Sequence, residues 1–243
     1  MARLLSEKRI MVPPSGGVSY IRTQLYTGGT HTFTPGSDAK QLIIWLTGGG
    51  GGGGKGGQSY NHGGGGAGGA TAWKIITPAD GALFASYIVE VGAGGTAGTS
   101  DHQGGGNGGT SRFHATGMPG DHPHYLLAEG GHGAAGHVGQ SASQGATQTD
   151  QANCTGADYC FRGAMGHGSG GGDSDNDRPC GGSVGGASHW GSGEMNGNFS
   201  NSQTGTPGRP WGSGGGPGLH NPSGNNGNGA SGCEGVCIIE VYG

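Results

Sequence analysis

Glycine is the residue that most constrains how this chain can fold. The chain has 243 residues, 65 of them glycine, and only five of those glycines precede Gly48. Glycine loses more conformational entropy on ordering than any other residue. It also contributes no side chain to a core. The region that begins with seven consecutive glycines at Gly48–Gly54 can therefore fold only if backbone hydrogen bonds replace side-chain packing.

Charge and hydropathy exclude several classes of protein. The chain has 11 Lys and Arg against 15 Asp and Glu, so the sequence predicts no basic surface for nucleic acid. No apolar run approaches the roughly 18 residues of a membrane span, and we expect no membrane insertion. The opening residues MARLLSEKRI are too charged for the apolar core of a secretory signal. We therefore expect the chain to be made and to fold in a cytoplasm.

The first hundred residues carry the strongest strand patterns. A Pro-Gly-Ser-Asp turn at residues 35–38 predicts that the two strands beside it form a hairpin, and a Pro-Ala-Asp-Gly turn at 78–81 predicts a second pair. No helical periodicity is present. The predicted strands are Ser19–Tyr26, Thr30–Thr34, Gln41–Leu46, Thr71–Thr77 and Ala85–Val91, with weaker ones at Ser111–Thr116 and His124–Ala128.

The C-terminal sequence CIIEVY at residues 237–242 is a plain strand pattern. Only five Val, Ile, Leu or Met residues lie between Glu129 and Gly232, so that stretch cannot build its own side-chain core. The terminal strand therefore pairs with the N-terminal sheet and encloses the glycine-rich stretch as an insertion within one domain.

Polyglycine-II-like rods would give the insertion a backbone hydrogen-bond network. Extended chains of the polyproline II type have no internal hydrogen bonds, so their N–H and C=O groups point outward. Where glycine lines the contact, such chains can bond laterally; the alternative is mobile linkers. The fold class expected is all-β, a β-sandwich base with glycine-rich rods. Candidate rods are Gly48–Gly54, Gly63–Gly69, Gly104–Gly109 and Gly212–Gly218.

The order of these motifs resembles a known family. THTFTPG is followed by QLIIWLT running into polyglycine, then GGGGAGGA, VEVGAGG, GGNGGTSRF and the closing IIEVYG. This pattern, from Thr30 to Gly243, resembles the glycine-rich domain at the tips of bacteriophage tail fibres and spikes. It is also similar to the distal adhesins of T-even-like phages.

The resemblance implies a β-sandwich base, a virion location at the tail tip and a role in recognising the host surface. Residues 1–29 would be an N-terminal attachment segment that docks onto another tail protein, with the chain as one copy of a homotrimer. Residues 30–243 would be the glycine-rich β domain. Its receptor-facing insertions would lie at about 129–232, because specificity in the T-even-like adhesins resides in loops between glycine-rich stretches.

The five cysteines give two alternatives. In a reducing cytoplasm they are expected to be thiols that act as small buried hydrophobes. A staple between Cys154 and Cys160 is the alternative once the protein meets air.

Isolated aromatic residues are the candidate receptor-binding side chains. They lie in polar, glycine-rich surroundings without aliphatic neighbours. They would either stay exposed and stack on a receptor, or fill gaps between rods as a sparse core. They are Tyr159, Phe161, Trp190, Phe199 and Trp211.

No motif predicts a metal, a cofactor or catalysis. The Asp173–Asp177 run has Arg178 and Val184 where a calcium loop of the EF-hand type needs Gly and Glu. His122 and His124 could place two imidazoles on one face of an extended segment, and in a trimer three such pairs could ligate iron, but we predict no metal. No HExxH or GK[ST] motif is present, and we expect no enzyme.

Two functions therefore remain. The first is a bacteriophage tail protein that binds a bacterial surface receptor, whether a protein, a pilus or a polysaccharide. The second is a structural cap or assembly protein of the fibre or baseplate that makes no receptor contact.

Overall fold

A computed structural model describes residues 17–55, 63–101, 103–134, 152–167, 184–193, 204–218 and 227–243. The described residues are nearly all β, with one short 3-10 helix at Pro78–Asp80. Their strands are β1 (Tyr20–Tyr26), β2 (Gly29–Phe33), β3 (Gln41–Thr47), β4 (Thr71–Ile76), β5 (Tyr87–Val91), β6 (Ser111–His114), β7 (Leu126–Ala128), β8 (Cys154–Thr155), β9 (Tyr159–Phe161) and β10 (Val236–Tyr242).

The strands form two antiparallel sheets packed face to face. The first sheet has the order β1-β10-β3-β4-β9 and the second the order β2-β5-β6-β7-β8. Alternate residues of β3, among them Leu42, Ile44 and Leu46, enter the core between the sheets. They meet Phe33 of β2 and Tyr87 of β5, both fully buried. The all-β sandwich expected from the sequence is confirmed.

The C-terminal strand lies inside the first sheet, as the sequence predicts. β10 pairs with β1 on one side and along all seven residues of β3 on the other. The first sheet is therefore completed by a strand that lies almost 190 positions after β3 in the sequence.

Both predicted hairpins are wrong. β2 pairs with β5 in the second sheet, whereas β3 pairs with β10 and β4 in the first. The two turns do reverse the chain, but each one carries it from one sheet to the other. The reason is that β10 and β4 occupy both edges of β3, and β3 and β9 occupy both edges of β4.

The expectation of reduced cysteines is wrong for one pair. Cys154 of β8 and Cys160 of β9 form a disulfide, which is the staple left open as the alternative. These two strands are the edges of different sheets, so the bond ties the sheets together on one side of the sandwich. Among the described cysteines, Cys233 and Cys237 are free. Cys237 lies in the core as a small hydrophobe, and burial raises the pKa of its thiol.

Candidate functional site

The polyglycine run forms a straight central rod, residues 48–55, that continues directly from β3. Its successive N–H groups donate in rotation to three different neighbouring segments, which is the three-residue repeat of the polyproline II conformation. The acceptors for Gly48, Gly51 and Gly54 are Ala70, Ala67 and Gly64; for Gly49, Gly52 and Lys55 they are Gly109, Gly106 and Gln103; and for Gly50 and Gly53 they are Cys233 and Ala230.

The carbonyl groups of the central rod accept from three further segments. Their donors, in order from Gly49 to Gly54, are Gly131, Gly95, Gly215, Ala134, Gly98 and Gly218. Within the described residues the central rod is therefore bonded on six sides. Residue numbers fall along the three accepting segments and rise along the three donating ones, so three neighbours run antiparallel to it and three run parallel.

This arrangement explains why residues 48–53 of the central rod are all glycine. A Cβ built on any residue from Gly48 to Gly53 would overlap a carbonyl group of a neighbouring segment. The next rod, residues 63–70, holds two buried side chains three residues apart, Ala67 and Ala70. A Cβ on Gly66 or Gly68 beside them would overlap backbone.

The rods leave the sandwich at one end, which we call the rod end. β3, β5 and β7 run directly into the outward segments 48–55, 92–98 and 129–134. At the opposite end, which we call the base, Ser19 and Gly243 exchange backbone hydrogen bonds of 2.8 and 3.0 Å. The described outer turn, residues 99–101, is held by an ion pair of 3.2 Å between Lys55 Nζ and Asp101 Oδ1.

A second feature is an aromatic surface on the outer face of the first sheet. Paired positions of neighbouring strands place Trp45 opposite Trp73, and Trp73 opposite Tyr159. Phe161 follows two residues after Tyr159 on the same edge strand, β9. The aromatic surface consists of Trp45, Trp73, Tyr159, Phe161, His189, Trp190 and Trp211.

Ring contacts hold this surface together. The Trp45 ring stacks with Phe161 at a centroid distance of 6.0 Å and with His189 at 5.2 Å. The Tyr159 ring lies 5.3 Å from that of Trp73. Trp45 and Trp73 have buried indole N–H groups with no hydrogen-bond partner among the described residues.

The structure brings four of the five predicted aromatic residues into this one surface; Phe199 lies outside the described residues. Tyr159 and Phe161 stay exposed, at 63% and 39% of their surface. Trp190 and Trp211 are half-buried and pack against a small second core of Trp45, Val236 and Ile238. The Trp190 Nε1–H donates to Thr47 Oγ1 at 2.7 Å.

Sequence reasoning missed Trp45, Trp73 and His189. Both tryptophans lie in predicted strands and are not isolated among glycines. Strand alternation is the signal that could have found Trp45, because it is out of phase with Leu42, Ile44 and Leu46, which enter the core.

The two histidines of the HxH motif lie near the base. His124 is fully buried, with Nδ1 2.9 Å from the Tyr87 hydroxyl, and its backbone N–H donates to His122 Nδ1 at 3.0 Å. Burial and the neighbouring His122 lower the pKa of His124. In the part of the chain that the structure describes, no three His, Cys, Asp or Glu side chains are grouped to hold a metal ion. The acidic run 173–177 lies outside the described residues.

Taken together, the two sheets and the rods define the class of the protein: an antiparallel β-sandwich that continues at one end into hydrogen-bonded glycine rods. The chain belongs to the family described as glycine-rich domain, whose sequence model matches residues 25–242. No curated protein is similar enough to count as a match. No helix among the described residues is long and apolar enough to cross a membrane.

Proposed function

We propose that this chain is a bacteriophage tail fibre or tip protein that binds a bacterial surface receptor during adsorption, without catalysis. The observation that carries the proposal is that the two ends of the molecule differ. Rigid rods bonded on up to six sides extend from one end, and the described chain ends meet at the other. Such a body can attach to a virion through its base and present its rod end and its aromatic surface to a cell.

From this difference between the two ends we propose which end binds which partner. Residues 1–29 are proposed to dock the base onto another tail protein, with three chains in one tip. Part of this segment, β1, is an edge strand of the first sheet, and residues 1–16 lie outside the described residues. The receptor side is proposed to include the insertions at about 129–232.

Competition for adsorption tests the proposal. Purified protein is added to host cells, and adsorption of a phage that carries this chain is counted. We expect a dose-dependent block, and host-range mutations between Glu129 and Gly232. Folded protein that neither binds cells nor blocks adsorption would contradict receptor binding.

A structural cap is the second candidate, and the exposed edge of the sandwich favours it. On β1, Tyr20 and Leu25 are 57% and 45% exposed, and the outer edge of this strand is unpaired among the described residues. An edge strand of this kind can pair with a neighbouring chain. Virions that lack this chain would then fail to assemble complete tails, whereas loss of a receptor-binding protein would leave assembly intact.

A further inference from the structure

We infer that the exposed edge of the aromatic surface, formed by Tyr159 and Phe161, is a binding site for the sugar rings of a polysaccharide. The inference deepens the proposed function and rests on it. It names the chemical class of receptor that this surface would take.

The two rings are presented in a fixed arrangement. They lie two residues apart on β9, about 6.7 Å along the strand, and point to the same face of the sheet. Tyr159 packs on Trp73, and Phe161 packs on Trp45 and on His189, whose ring is 4.6 Å away. The disulfide at Cys160, between them, ties the strand to the second sheet. Little conformational entropy is therefore lost when a ligand binds.

The chemistry of these rings suits a sugar. The C–H face of a pyranose ring is apolar and can lie flat against the negative face of an aromatic ring. Its hydroxyl groups need polar partners at the rim. Asp158 and Arg162 immediately flank β9 and are exposed, so their charged groups lie beside the edge strand that carries the rings. Asp158 is already oriented, because its Oδ2 accepts the backbone N–H of Ile75 at 2.8 Å and its Oδ1 lies 3.7 Å from Lys74 Nζ.

The size of the exposed surface favours a glycan over a folded protein. Trp45 is 7% exposed, and Trp73, Trp190 and Trp211 are half-buried, so the exposed rings of the aromatic surface are those of Tyr159, Phe161 and His189. A stable protein interface buries about 800 Å² on each partner. Three ring faces are much smaller than that, but they match a short stretch of oligosaccharide.

Binding to a defined glycan tests the inference. The probes are polysaccharide purified from the surface of the adsorbing host and a panel of neutral hexose and N-acetylhexosamine oligosaccharides. Saturation-transfer NMR should show contact between sugar C–H protons and aromatic protons. Tyr159→Ala should weaken binding about tenfold, and Tyr159→Phe should keep most of it. Tyr20→Ala removes an equally exposed ring from the opposite edge of the sheet and should leave binding unchanged.

The outcomes separate this inference from the proposed function. Absence of binding to every glycan, or equal binding by the wild type and Tyr159→Ala, overturns the sugar site even if the protein still blocks adsorption. Binding of a purified outer-membrane protein through Tyr159, with no glycan binding, overturns it in favour of a protein receptor. Glycan binding through Tyr159 supports the site. If the purified protein then failed to block phage adsorption, that result would count against the tail function alone.

Discussion

At the scale of the residue, the absence of a side chain is a packing requirement. Each of Gly48 to Gly53 meets a neighbouring carbonyl group where a Cβ would be, whereas the rod at residues 63–70 accommodates the buried side chains of Ala67 and Ala70. Glycine is therefore required at some positions of the chain and replaceable at others. Gly120, with no atom near its Cβ position and no positive φ, needs no glycine.

Gly51→Ala should destabilise the protein by about 3 kcal/mol, because the added methyl group must displace the backbone of the rod that contains His132. Urea unfolding measures the effect. Gly120→Ala is the matched control and should unfold at the wild-type urea concentration. Equal unfolding midpoints for the two variants would contradict the tight packing of the central rod.

His124 should make stability depend on pH. Burial lowers its folded pKa below the ordinary 6.5, aided by His122 and Lys74 and opposed by Asp80. The unfolded chain then binds more protons, so stability is full above pH 6.5 and is lost as the pH falls toward the folded pKa.

Urea midpoints at pH 7.5 and 5 measure this dependence. His124→Gln keeps a polar group for the Tyr87 hydroxyl but does not titrate, so it should flatten the pH dependence. His31→Gln should keep it. If the urea midpoint of His124→Gln depended on pH as strongly as that of the wild type, the effect would belong to another group.

At the scale of the element, the two sandwich edges differ. Each side of the sandwich has one edge strand from each sheet. On one side the Cys154–Cys160 disulfide joins the two edge strands, β8 and β9; on the other side the described cysteines form no such bond between β1 and β2. The closed edge is also the one that carries the exposed rings of the aromatic surface. Tying the two sheets together there fixes the strand that presents them.

Replacing both Cys154 and Cys160 by Ser should lower the free energy of unfolding by about 2 kcal/mol, since the bond closes a short loop with a sequence separation of 6. Chemical denaturation with and without a reducing agent measures it. Cys233→Ser serves as the control and should respond to the reducing agent as the wild type does. No difference between oxidised and reduced wild type would contradict this stabilising role.

At the scale of the whole molecule, stability comes from two different sources. The sandwich buries Phe33, Tyr87, Phe113 and their aliphatic neighbours in an ordinary side-chain core. The rods within the described residues have no comparable core, and their order depends on a lattice of backbone hydrogen bonds between chain segments far apart in sequence. The two parts are continuous because β3, β5 and β7 become rods without a break.

Hydrogen exchange should reveal this continuity. Amides of Gly48–Gly54 are buried and bonded to other rods, so they should exchange about as slowly as those of β3. Residues 82–86, an exposed loop at the base, provide the fast reference. Mass spectrometry of peptides from both regions gives the rates. Exchange of the polyglycine at the rate of that loop would show that the rods are not a cooperative part of the fold.

The candidate site could be predicted only in part. The isolation of Tyr159, Phe161, Trp190 and Trp211 from aliphatic residues marked them as unusual, but isolation in sequence does not reveal their neighbours. Trp45 and Trp73, more than 80 residues earlier, complete the same surface. That neighbourhood depends on the pairing of β4 with β9, which no local pattern encodes.

The sequence by itself determined the all-β class, the rods and the closing role of the last strand. These follow from local periodicity, from the crowding that only glycine tolerates and from the lack of aliphatic residues in the middle of the chain. Only the tertiary structure decided that β2 and β3 lie in different sheets, that Cys154 bonds Cys160 and that the aromatic rings converge. Each of these depends on which distant segments compete for the same strand edge or face, and that competition is decided by the packing of the whole chain.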